Sequence, residues 1–250
     1  MRFEFATAAK IIFGPGVLKE LGPAARGLGT KALVVSGLIG PNLARLCELL
    51  DAEGIEWQTF QVTSEPSIAT VQSGLHAARS MGCDLVIGFG GGSAIDTAKA
   101  VAAMITNSGD LRDYLEVVGQ NQPLREPAAP FIAVPTTAGT GSEVTRNAVL
   151  SVPEMQVKVS LRSPYLAARL ALVDPELTLG LPPAITAATG MDALAQVIEP
   201  YVSRRANPFT DLFCREGIVR ASRSLLTAFQ NGNDPAAREP RHSRQGLQPG

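Results

Sequence analysis

The run Val86-Ile87-Gly88-Phe89-Gly90-Gly91-Gly92-Ser93-Ala94-Ile95-Asp96-Thr97-Ala98-Lys99 restricts the fold more than any other stretch of the chain. A short β-branched segment enters three consecutive glycines, and Ser93 then opens an apolar-periodic helix. Parallel α/β sheets use such a turn to aim backbone N–H groups and a helix N-terminus at a phosphate. The spacing is not Gly-x-Gly-x-x-Gly, which argues against a standard Rossmann unit. A tight strand-to-helix connection with no ligand is the alternative.

The flanking sequence supplies the rest of such a sheet. Ala32-Leu33-Val34-Val35, Ile55 to Val62, Leu85-Val86-Ile87, Phe131-Ile132-Ala133-Val134 and Leu170-Ala171-Leu172-Val173 read as strands, and Met1-Arg2-Phe3-Glu4-Phe5 as an early one. Amphipathic runs from about Asn42 to Ala52, from Ile68 to Met81 and around Thr97 to Ile105 read as helices. This alternation implies βαβ units and an α/β fold whose parallel sheet is covered on both faces. Ligands in such sheets sit at the carboxyl ends of the strands, where the triple glycine lies. A second loop, Pro135-Thr136-Thr137-Ala138-Gly139-Thr140-Gly141-Ser142-Glu143, also follows a strand and is dense in hydroxyls and glycines. It has donors to surround a phosphate or carboxamide, with a Ser/Thr-rich surface turn as the alternative. Val144 to Leu161 reads as a hairpin with Pro153-Glu154 near its tip.

After Leu181-Pro182-Pro183 the pattern changes to two long helices, Ala184 to Tyr201 and about Phe209 to Phe229, with no strand between them. The expected organisation is an α/β domain over 1–180, the start of an all-helical domain over 181–239 and an irregular tail over 240–250. With 250 residues, 45% hydrophobic and 18% charged, the composition is that of a globular protein. A formal net charge of −1 gives no general field for nucleic acid or an anionic membrane. No apolar stretch is long enough to span a bilayer, and the N-terminus carries no signal pattern. Cys47, Cys83 and Cys214 are far apart and lack a Cys-x-x-Cys pair, which fits a reducing cytoplasm better than disulfides or a zinc-thiolate site.

Four blocks point to one family. They are Gly90-Gly91-Gly92-Ser93-x-x-Asp96-x-x-Lys99, the loop Pro135 to Thr145, Asp174-Pro175 before Leu181-Pro182, and Gly190-Met191-Asp192-Ala193-Leu194. In this order the chain resembles the iron-containing (group III) alcohol dehydrogenase family over nearly its whole length, to about Glu239. The resemblance implies a dehydroquinate synthase-like architecture, with a dinucleotide-binding α/β domain, a helical domain and an active site in the cleft between them. By matching positions, Gly91, Gly92 and Ser93 hold the pyrophosphate of NAD or NADP. Asp96, Thr136, Thr137, Thr140 and Ser142 line the cofactor groove, and Lys158 lies near the nicotinamide half. The bare reading of Asp96 and Lys99 is an exposed helix face. The implied reaction is hydride transfer between cofactor and a small alcohol or aldehyde, assisted by a divalent metal, Fe2+ or Zn2+. A homo-oligomer is the expected assembly of the full-length form.

The chain departs from the family pattern in three places. Asp192 matches the aspartate metal ligand, but Gln196 stands four residues on, where the family has histidine, and an amide is a poorer ligand for iron or zinc. A metal-independent carbonyl reductase of the maleylacetate type therefore stays open. Gly37 occupies the position where an aspartate often reads the adenosine ribose, which leaves NAD and NADP undivided. The family's other two histidine ligands lie beyond residue 250; His76 and His242 match neither and read as solvated. Asp234 to Glu239 starts a helix that Pro240 cuts short, so the expectation is a frameshift or truncation near Glu239, with a native flexible terminus as the alternative. A catalytically inactive nucleotide-binding remnant is then a third reading, and its two helices would expose apolar faces.

Overall fold

In the computed structural model, which describes residues 2–238, the elements run β1 (Ile11–Phe13), α1 (Leu21–Arg26), β2 (Lys31–Ser36), α2 (Pro41–Ala52), β3 (Glu56–Gln61), α3 (Ile68–Met81), β4 (Leu85–Gly90), α4 (Gly92–Thr106), α5 (Leu111–Tyr114), β5 (Phe131–Pro135), β6 (Asn147–Val152), β7 (Val157–Arg162), β8 (Leu170–Val173), α6 (Pro183–Val202), α7 (Pro208–Gln230) and α8 (Pro235–Arg238). Six strands form one sheet in the order β1-β8-β5-β4-β2-β3, every neighbouring pair parallel. β6 and β7 make a separate antiparallel hairpin.

The sequence explains the strand order. β4 and β5 are buried at every position, as central strands covered on both faces must be, whereas the edge strands β1 and β3 alternate with exposed residues. Successive side chains point to opposite faces. Leu33, Val35, Val86 and Ala133 therefore join one core with Val71 of α3 and Ala98 and Val101 of α4. Val34, Ile87, Ile132 and Leu172 join a second core with Leu21 of α1 and Leu46 and Leu50 of α2. α3 has clean ends: the Ser67 hydroxyl accepts the Thr70 N–H at 3.1 Å, and Gly82 closes it in a left-handed conformation at φ 71°.

Two features differ from expectation. Arg2–Phe5 form no strand: the sheet begins at β1, which takes the open edge of β8 through Ile11↔Ala171 and Phe13↔Val173. A strand was expected there, but a strand needs a ladder partner, and the open edge of β8 is filled by β1. α4 starts at Gly92 rather than Ser93, with Gly91 as its cap.

The chain divides into two compact units: residues 5–137 with 141–177, and residues 2–4 and 138–140 with the helices from 178 onward. In the helical unit, α6 and α7 pack on each other, and the Asn207 side chain and Thr210 form a capping box that starts α7. Both helices also expose large apolar side chains, among them Met191, Val202, Leu212 and Leu226. Asp234 caps the start of α8 by accepting the Ala236 N–H at 2.9 Å. The irregular tail expected over 240–250, with His242 and Pro240, lies outside the described residues. No helix among the described residues is long and apolar enough to cross a membrane.

Asp174, at the end of β8, ties the α/β unit together. Its nearly buried carboxylate accepts the backbone N–H groups of Gly16 and Leu18, each at 3.1 Å, and of Glu176 at 3.0 Å. Asp174→Ala leaves these donors without their acceptor and should lower unfolding free energy by about 2–4 kcal/mol, read from urea denaturation.

Candidate functional site

The strand order reverses between β2 and β4, since β3 lies outside β2 and the chain then crosses back. Crevices at such reversals, at the carboxyl ends of the strands, are where open α/β sheets bind ligands. Here the two strand ends are glycines in close contact. The Gly37 N–H donates to the Phe89 carbonyl at 3.1 Å, and Gly90 has φ 151°. A Cβ on Gly90 would lie 2.9 Å from the Ala94 Cβ and 3.0 Å from the Gly37 nitrogen, so no other residue fits.

The turn delivers the chain into α4 without a side-chain cap. Gly91, the cap residue, makes no side-chain hydrogen bond, and its carbonyl accepts the Ile95 N–H at 3.2 Å. The first N–H groups of the helix, those of Gly92 and Ser93 among them, are thus left to a ligand or water. Beside the turn, the Thr136 N–H donates to the Gly90 carbonyl at 2.9 Å. The Thr136 hydroxyl is buried and makes no hydrogen bond. Thr137 also faces the turn: a Cβ on Gly91 would meet its Oγ1 at 3.3 Å.

Farther along α4 lies a buried polar cluster. Ser142 Oγ donates to Asp96 Oδ1 in a short hydrogen bond, and the Val149 N–H donates to Asp96 Oδ2 at 3.1 Å. Lys99 is fully buried and lies 3.8 Å from Asp96 Oδ1. Burial pushes the Asp96 carboxyl up, against the opposing pull of Lys99 and its hydrogen bonds. Burial lowers Lys99 to about 8, although Asp96 and Glu143 favour its charge. Burial likewise raises Glu143.

The expected site residues are therefore distributed as follows. Gly91, Gly92, Ser93 and Asp96, at the start of α4 and along it, Thr136 and Thr137, just past β5, and Ser142, in the turn Ser142–Val144, all belong to one unit. Thr140 is exposed and counts with the helical unit. Lys158, on β7, is exposed and ion-paired with Glu65. Asp192 and Gln196 are one turn apart on an exposed face of α6, and Gln196 Nε2 donates to the Gly139 carbonyl at 3.2 Å. Among the described residues no three His, Cys, Asp or Glu side chains are grouped to hold a metal, and His76 is exposed on α3. Neither Asp96 nor Lys99 lies on an exposed helix face. Sequence reasoning placed Lys99, Glu143 and Thr145 inside its motif blocks but gave none of them a role in the site. A lysine inside the apolar run Ala98 to Met104 was the available signal for the first.

Comparison with known proteins bears on the family and the fold. Residues 8–175 match the family model described as iron-containing alcohol dehydrogenase, and residues 186–245 match that of the Fe-containing alcohol dehydrogenase family, C-terminal. The chain is 36% identical over 247 residues to a sulfoacetaldehyde reductase of Bilophila wadsworthia, covering 96% of this chain and 62% of the relative. A solved 1,3-propanediol oxidoreductase superposes with a TM-score of 0.89 at 36% identity, covering 96% of this chain and 63% of that one. A sulfoacetaldehyde reductase from Bifidobacterium kashiwanohense, solved in complex with NAD+, gives 0.86 at 32% identity, covering 96% and 64%. The chain thus spans about three-fifths of the length of these relatives.

Two stability measurements probe the site. Gly90→Ala should cost about 2–4 kcal/mol, because backbone atoms must move to admit the methyl group. For Glu143, the folded chain holds its proton to a higher pH than the unfolded chain, whose usual value is 4.5. Its contribution is fully present below that value and is lost as pH rises through the folded value. Glu143→Gln should therefore make the melting temperature fall less steeply than that of the unaltered chain as pH rises above about 4.5.

Proposed function

Because this chain belongs to the iron-containing alcohol dehydrogenase family, we propose that it binds NAD or NADP and interconverts a small alcohol with its aldehyde or ketone by hydride transfer. The observation that carries the reading is the buried Thr136 hydroxyl, unpartnered beside an uncapped helix start. A polar group held out of water without a partner costs about 1–3 kcal/mol, and a ligand atom that bonds to it recovers that cost. The dinucleotide therefore fits the residues present. The backbone of Gly91, Gly92 and Ser93 takes the pyrophosphate; Thr136, Thr137, Asp96 and Ser142 line the groove. The family resemblance adds Thr140 and Lys158.

A bound nicotinamide supplies the hydride acceptor in oxidation and the donor in reduction. The chain's share of the work is positioning: fixed backbone donors and a rigid α4 hold the cofactor at one depth in the sheet, which is the larger part of what such a reaction requires.

Iron does not fit the described residues. The donors expected for it are one carboxylate, Asp192, and one neutral amide, Gln196, both on an exposed helix face. Iron and zinc centres of this kind take three or more protein ligands, and the described residues offer these two, so no step of the reading passes through a metal. Gln196 favours a second reading, a metal-independent carbonyl reductase on the same scaffold. NADH oxidation with short aldehydes, measured with and without a chelator, tests the second reading: activity that survives chelation supports it, and activity lost on chelation and restored by Fe2+ overturns it. NADH binding with no turnover of any aldehyde would leave only dinucleotide binding.

We place the protein in the cytoplasm. Its three cysteines are free and buried, and burial pushes their thiols up, Cys83 to about 11, as befits inert packing groups.

Two variants test the cofactor reading. Thr136→Val keeps the shape and removes the orphaned hydroxyl, so it should fold at least as stably as the parent while binding NADH about tenfold more weakly. At Gly37 a Cβ meets nothing closer than 3.7 Å. Gly37→Asp should therefore be tolerated and should weaken NADPH binding at least tenfold relative to NADH, by repelling the 2′-phosphate.

A further inference from the structure

We infer that Lys99 is a positioning residue of the dinucleotide site: its ammonium group clamps the segment Ser142–Asn147 to α4 and so holds Asp96 and Ser142 where the cofactor meets them. The inference rests on the dinucleotide reading above.

The geometry is that of a saturated cation. An ammonium has three N–H donors and no acceptor. Lys99 Nζ has three oxygens around it: Asn147 O at 2.9 Å, Thr145 Oγ1 at 2.8 Å and Ser142 Oγ at 3.2 Å. None of the three has a proton to give back. The Ser142 hydroxyl proton goes to Asp96, the Thr145 hydroxyl donates to the Ser142 carbonyl at 3.2 Å, and a backbone carbonyl has none. A neutral amine has two N–H groups, so its lone pair would face one of these oxygens. The arrangement therefore selects the charged form, with two carboxylates facing it: Asp96 from its own helix and Glu143 from the turn Ser142–Val144.

The same oxygens belong to the limb that leaves the threonine loop. Ser142 bonds to both Asp96 and Lys99, so moving the lysine moves the hydroxyl, and the hydroxyl orients the carboxylate. Lys99 itself has no exposed surface. Its action is through these two side chains.

A lysine that only fastened the β6–β7 hairpin to α4 would change stability and leave the pH course of binding alone. Linkage separates the cases. Lys99 in the folded chain loses its proton near pH 8, whereas the unfolded chain keeps it to the usual 10.5. Its contribution to stability therefore rises between those values, and melting temperatures measured alongside separate a loss of binding from unfolding.

The test titrates NADH, by its fluorescence, into the full chain and its variants between about pH 6.5 and 9.5, with melting temperatures measured alongside. The unaltered chain should bind about tenfold more weakly as pH rises through about 8, with no fall in melting temperature. Lys99→Met should bind at the weak level throughout, with no pH course. Should Lys99→Met not fold, Thr145→Val decides: losing one acceptor of the ammonium should move the midpoint to lower pH, and an unmoved midpoint overturns the inference. Lys99→Met that folds and binds with the parent's affinity and pH course overturns it equally. An unaltered chain that binds no NADH at any pH overturns the dinucleotide reading itself, and this inference with it.

Discussion

The site depends on how closely α4 lies against β4. Gly88 and Gly90 present bare backbone to the helix: a Cβ on Gly88 would meet the Ala98 Cβ at 3.0 Å and the Ile95 Cα at 3.1 Å, and one on Gly90 would meet Ala94. Helix and strand can approach to this distance only because one side contributes no side chains and the other contributes mostly small ones. The approach sets the depth of the helix start, and with it the height of the uncapped N–H groups above the ends of β2 and β4. It also turns the opposite face of α4, with Asp96 and Lys99, toward the segment that leads into the β6–β7 hairpin.

That second face explains the electrostatics. A helix between a sheet and a further layer has no solvent-facing side, and α4 accordingly buries ten of its residues, one of them a lysine. Burying charge is unfavourable unless each group is paired and hydrogen-bonded. Asp96 and Lys99 meet that condition through one another and through Ser142, Thr145, the Asn147 carbonyl and the Val149 N–H, whereas Glu143 has its own backbone N–H and the field of Lys99. Desolvation still moves all three toward their neutral forms, which is the condition in which a nearby ligand or a change of pH has most influence.

What could be read from the sequence follows the range of the interactions involved. The central strands were legible because burial on both faces writes an unbroken apolar run, and α3 because both of its caps are local. The glycine turn was legible because its backbone demands one residue type. Residues 2–5 misled because a short local pattern says nothing about whether a partner strand is free. The start of α4 was one residue off because a glycine cap leaves no side-chain signature. The burial of Lys99 was hidden for a longer-range reason: its partners Ser142, Thr145 and Asn147 lie more than forty residues away, on a loop whose position no local pattern records. Gln196 was recognised as a departure, while its hydrogen bond to the Gly139 carbonyl required the fold.

The tie between Asp174 and the first turn of the chain also bears on how the molecule is made. Its partners are 158 and 156 residues apart in sequence. On a ribosome, β2, β3, β4 and β5 can assemble as they emerge, each beside a strand already present. β1 cannot, because the edge it occupies is created by β8. β1 and the turn that carries Leu18 must therefore wait for β8 to be made, although Leu21 of α1 can pack earlier on Leu46 and Leu50 of α2. Closing that long loop is the last step in completing the sheet, and the early residues are the ones a chaperone would find exposed.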